Sequence, residues 1–112
     1  MFIFSVPALY PWILVVLTLF GAWMQVFAMM RGAKSRINTF NADFMKQFEE
    51  EHLKWNPNSK LDPIGNPDQG NGWYAKKLPL DKWFKFNSYQ RAQANLLEWM
   101  PVIYISTLIS GL

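Results

Sequence analysis

The chain has 112 residues and a formal charge of +3, with eleven Lys and Arg against eight Asp and Glu, a length that suits one small domain. Its mean hydropathy is close to zero, yet no charged side chain precedes Arg31 and only Glu98 follows Arg91, which excludes a single soluble core. The absence of cysteine excludes a disulfide framework, a thiolate zinc site and a cysteine nucleophile.

Residues 11–30 carry only Thr18 and Gln25 as clearly polar side chains. Twenty helical residues span about 30 Å, the thickness of a bilayer's hydrocarbon core, so a first transmembrane helix is predicted over about residues 10–31. Pro7 and Pro11 suit its first turn. Tyr10 and Trp12 can sit at one interface, and Arg31, Lys34 and Arg36 at the other. A cleavable signal peptide is the competing reading, disfavoured by the missing basic n-region and the length of the apolar run.

From 35 to 55 the apolar residues Ile37, Phe40, Phe44, Met45 and Phe48 recur at three and four, which predicts an amphipathic helix or a continuation of the first span. Glu49, Glu50 and Glu51 read as a solvated helix face. His52 is the only histidine and has no second ligand type spaced around it, so no metal site is expected. Residues 56–72, rich in proline, glycine and asparagine, predict a loop of successive turns. Their GNPDQGNG run lacks the spacing of a phosphate-binding loop and follows no strand.

Between 73 and 89, Trp73, Tyr74, Trp83, Phe84, Phe86 and Tyr89 interleave with Lys76, Lys77, Lys82 and Lys85. Such a mixture could stack single-stranded nucleic acid or lie at a headgroup interface. Its position just before an apolar segment favours the interface, and no nucleic-acid partner is expected.

Residues 92–112 are apolar apart from Gln93, Asn95, Glu98 and a few hydroxyls, so a second span is predicted over about 88–112, kinked or loosened at Pro101. The fold class expected is therefore an all-α membrane protein, a single unit of two transmembrane helices joined by a long, partly helical segment over about 35–86. With every basic residue between the spans, the positive-inside rule places that segment on the cytoplasmic side. On a helix, Arg91, Asn95 and Glu98 lie at about 0°, 40° and 340° and project from one face. A guanidinium, a carboxamide and a carboxylate on one face could grip a zwitterionic ligand, or could equally pair with neighbouring helices.

Residues 86–101, FNSYQRAQANLLEWMP, resemble the signature of the MAPEG family, the membrane-associated proteins of eicosanoid and glutathione metabolism. That signature reads approximately R-A-[HQ]-x-N-x-x-E-x-x-P and is met by Arg91, Ala92, Gln93, Asn95, Glu98 and Pro101. The PDQGNGWYAKKL segment and the spacing of Arg36, Phe40 and Asn41 are also similar to family members, whereas Ala94 stands where several members have a second arginine. The resemblance implies a homotrimer of four-helix subunits in an endomembrane or organelle membrane, binding glutathione as co-substrate between subunits. Arg91, Asn95 and Glu98 would contact glutathione, and Arg36 or Lys34 would help hold a carboxylate. Glutathione would then supply the thiol that the chain lacks.

The resemblance covers the family's first two spans. The tyrosines and the arginine that stabilise the thiolate in the third and fourth spans have no counterpart among these residues, so glutathione transferase or peroxidase activity is expected only if the chain is part of a longer protein or is completed by other chains. The alternative is a non-catalytic two-span accessory subunit that stabilises a larger membrane complex.

Overall fold

The computed structural model describes residues 5–112, and every regular element among them is helical. They are α1 (Tyr10–Thr39), α2 (Ala42–Met45), a 3-10 turn (Lys46–Phe48), α3 (Glu49–Trp55), a second 3-10 turn (Ala75–Lys77) and α4 (Leu80–Ser110). Among the described residues α1 is the one helix long and apolar enough to cross a membrane. Only 11% of its apolar window is buried, so its side chains face outward along most of its length. That exposure is the opposite of what a core helix of a soluble protein shows.

Two compact units divide the chain. Among the described residues the first comprises 5–29 and 93–112, so it is built from the apolar part of α1 and the C-terminal part of α4. Tyrosines tie these segments together. The Tyr10 hydroxyl donates to Leu108 O at 3.1 Å, in the last turn of α4, and the Tyr104 hydroxyl donates to Leu17 O at 3.0 Å. A Cβ at Gly21 would overlap the Tyr104 hydroxyl, so glycine is what admits that ring. Thr18 and Thr107 donate to the carbonyls four residues back, Leu14 and Ile103, and leave no hydroxyl proton unsatisfied in apolar surroundings.

The second unit, residues 30–92, has its own core. Phe40, Met45, Phe48, Ala75 and Phe86 are buried together, with Phe44, Leu61, Tyr74 and Leu78 packed against them. The rings meet edge to face: Phe40 with Phe86 at 5.0 Å and 83°, Phe48 with Tyr74 at 4.9 Å and 76°. Such pairs add about 0.5–1.5 kcal/mol each beyond the area they bury.

The helix predicted across 35–55 is not continuous. α1 runs on past the apolar segment to Thr39 and stops at Phe40. Asn41, with extended backbone, then caps α2 by accepting from Phe44 N at 2.9 Å. The break redirects the chain so that Phe40, Met45 and Phe48 enter one core, while Ile37, counted on the same stripe, stays exposed. α3 carries Glu49, Glu50 and Glu51 in its first turn, where carboxylates complement the helix dipole; all three are exposed.

The aromatic segment 73–89 also differs from a purely interfacial one. Tyr74 and Phe86 belong to the core of the second unit, and Trp73 lies 5.1 Å from the Phe48 ring; Trp83 and Phe84 are exposed. α4 begins at Leu80, some eight residues before the predicted second span, with Pro79 just ahead of it and Asp81 in its first turn. The loop predicted over 56–72 is a run of turns with no helix or strand, and it continues through Trp73 and Tyr74.

Candidate functional site

The turn-rich loop is organised by one buried carboxylate. Asp68, 4% exposed, accepts from Gly70 N at 2.8 Å and Gly72 N at 3.2 Å on Oδ1, and from Ala75 N at 2.8 Å on Oδ2. Three N–H groups on one carboxylate convert a flexible sequence into a fixed shape, each charge-assisted bond being about twice as strong as a neutral one. Asn87 on α4 clasps the same loop, donating from Nδ2 to Gly70 O at 2.7 Å. Gly70 has φ +98°, and a Cβ there would come within 2.7 Å of that amide nitrogen, so both backbone and space require glycine.

Arg36 closes the loop from the α1 side. Its Nη1 donates to Gly65 O at 3.2 Å, and its guanidinium stands 5.8 Å from the Phe40 ring centre and 5.4 Å from that of Phe86. Burial lowers its pKa, and the negative charges of Asp68 and Asp62 oppose that shift. Arg36 is thus committed to holding loop and core together. Tyr74 is pushed the other way: burial raises its pKa, and Asp62 and Asp68 raise it further, so it stays a neutral phenol.

Arg91, Asn95 and Glu98 all lie on α4, at positions i, i+4 and i+7, and all three are exposed. Helical geometry sets them on one face. None makes a hydrogen bond or ion pair among the described residues, so the groups read from sequence as possible ligand contacts are unengaged there. Arg36 is engaged through Nη1, which donates to Gly65 O, and its guanidinium stands near two rings.

Cavities open in the second unit. One, of about 520 Å³, is lined by Glu51, His52, Trp55, Asn66, Pro67, Trp73 and Tyr74. The His52 ring is already engaged there, with Nε2 3.1 Å from Ser59 O. Another, of about 600 Å³, is basic, lined by Arg31, Lys34, Lys82 and Lys85 together with Ser35, Asn38, Thr39 and Tyr89. No acid lines it. Sequence reading treated these lysines as a headgroup-facing stretch and missed that α1 residues complete a cavity with them. The signal was the pair of four-residue steps, Arg31 to Ser35 and Ser35 to Thr39, on one helix face.

No family model, curated protein or solved structure matches the chain. Functional chemistry is therefore assigned from the side chains themselves, the exposed polar row on α4 and the basic cavity of the second unit.

Proposed function

We propose that the chain is a MAPEG-like integral membrane protein that binds glutathione at the polar face of α4. In this reading α1 and the C-terminal part of α4 both cross the bilayer, and the segment between them lies on the cytoplasmic side with its basic residues. The observation that carries the proposal is the row Arg91, Asn95 and Glu98, exposed on one helix face with no partner among the described residues. An ionised carboxylate in a membrane helix costs on the order of 3 kcal/mol, so Glu98 needs a ligand or a partner helix to offset it.

Glutathione offers complementary groups. The Arg91 guanidinium matches one of its carboxylates in a bidentate pair, Glu98 accepts from its ammonium, and Asn95 can donate to one group and accept from another. Arg36 contributes by fixing the 65–75 loop through Gly65 O. The thiol would come from glutathione, and the positive group needed to hold it as thiolate would come from further helices or from neighbouring subunits of a trimer.

The second reading is the accessory subunit, which binds no thiol ligand. It is favoured by the extensive outward apolar surface of α1, which suits neighbouring protein helices as well as lipid. Glutathione conjugation by the purified native assembly separates the two. The expected result is turnover that falls at least about tenfold in Arg91→Ala and Glu98→Gln, the loss of one charge-assisted contact each. Unchanged turnover in both variants, or none in the wild type, favours a structural role for the row.

A further inference from the structure

Beyond glutathione, the basic cavity of the second unit has the composition of a phosphate site. Lys34, Lys82 and Lys85 line it and hold no hydrogen bond or ion pair among the described residues, and Arg31 adds a fourth cation. Ser35 and Thr39 are 9% exposed, yet neither donates to the carbonyl four residues back, as Thr18, Ser88 and Thr107 do. No buried side-chain oxygen among the described residues lacks both a partner and access, so these hydroxyls reach open space in the cavity they line. Two unengaged hydroxyls between unpaired ammonium groups supply the directed donors that a phosphate's oxygens require, which bare surface lysines do not.

Position along α1 selects the source of the phosphate. Arg31 directly follows the apolar run 11–30, and the five residues 31–35 rise about 7.5 Å along the helix. The headgroup layer on each side of the hydrocarbon core is about 5–8 Å thick, so Arg31, Lys34 and Ser35 fall within it when residues 11–30 fill the core. We propose that this cavity binds the phosphate of an anionic phospholipid headgroup and fixes the depth at which α1 sits. The proposal rests on α1 crossing the bilayer and is independent of glutathione binding.

The test uses the full chain. Flotation with phosphatidylcholine vesicles reads membrane insertion separately, so a chain that fails to float overturns the span and not the cavity's chemistry alone. The detergent-solubilised chain is then titrated with short-chain phosphatidic acid and, in parallel, with short-chain phosphatidylcholine, at fixed ionic strength, with bound lipid read by native mass spectrometry. Phosphatidic acid is expected to bind at least about tenfold more tightly, and Lys82→Gln combined with Lys85→Gln to abolish that preference. Thr39→Val, which changes no charge, is expected to weaken it several-fold. Lys60→Gln combined with Lys76→Gln removes the same charge outside the cavity and is expected to leave it intact. Equal losses in the two double variants, or no effect of Thr39→Val, would reduce the site to diffuse surface charge and overturn the proposal. Complete displacement of the lipid by millimolar inorganic phosphate would assign the cavity to a soluble anion and overturn its lipid source.

Discussion

Phe40→Ala is expected to lower the opening free energy of residues 36–92 by about 3–5 kcal/mol, the range for truncating a fully buried phenylalanine. The Phe40 ring is inaccessible to solvent, meets Phe86 edge to face at 5.0 Å and Phe44 at 6.0 Å, lies against Gly65 and sits below the Arg36 guanidinium. Removing it opens a cavity where α1, the loop and α4 converge within the second unit. It also takes away one of the two rings against which the Arg36 guanidinium packs. Amide hydrogen exchange of the chain in lipid nanodiscs reads the effect locally, which matters because one global unfolding free energy is not defined for a chain that divides into two compact units. Ile37→Ala is the control. Its side chain is exposed, and it is expected to change protection by no more than about 0.5 kcal/mol. A stripe read from sequence spacing alone would place Ile37 and Phe40 on equal terms, so the contrast between the two variants tests the chain break at Asn41.

The second large effect is expected at Asp68. Replacement by Asn keeps the volume but makes one of the two oxygens an NH2 group. Oδ1 serves Gly70 N and Gly72 N while Oδ2 serves Ala75 N, so either orientation of the amide faces a donor with a donor. The expected cost is about 2–4 kcal/mol, with Asp68→Ala at the upper end, because buried N–H groups are left unsatisfied. Protection of the Gly70, Gly72 and Ala75 amides should collapse first, and limited proteolysis should cut between 69 and 74. Asp62 is the comparison: half-buried, it accepts from Ile64 N at 2.9 Å, a single local turn bond, and Asp62→Asn should cost about 1 kcal/mol or less. Loss of the Asp68 anchor also releases Gly70, and with it the Asn87 clasp on α4.

The reasons these residues matter were unequally visible in the sequence. The apolar run 11–30 is legible because it repeats one instruction at all but Thr18 and Gln25, and it lies within α1. The loop 56–72 is legible as a loop for a similar reason, from its proline, glycine and asparagine. Its shape is not. Asp68 reads as one more turn residue until its two oxygens are seen on three N–H groups. The Asp-x-Gly-x-Gly spacing at 68, 70 and 72 hints at side chain to backbone turns, but Ala75 is seven residues on.

The break at Phe40 was hidden because three-and-four spacing continues straight through it. Asn41, a residue suited to capping, was the available sign. Arg36 was marked only through the family resemblance, as a cation that would help hold a carboxylate, and its contacts within the second unit, Gly65 O and two phenyl rings, come from segments far apart in sequence. Pairings of that kind follow from tertiary packing and leave no local pattern. Arg91, Asn95 and Glu98 are the reverse case. Their shared face needs only a continuous helix, and α4 from Leu80 to Ser110 provides it.

Equilibrium dialysis of labelled glutathione against the chain reconstituted in lipid nanodiscs probes the polar face of α4 most directly. The predicted result is saturable binding that falls to background in Arg91→Ala and is retained in Lys60→Gln, which removes an exposed cation far along the chain from that face. Binding that is not saturable, or that Arg91→Ala leaves unchanged, would contradict glutathione recognition by this row of side chains.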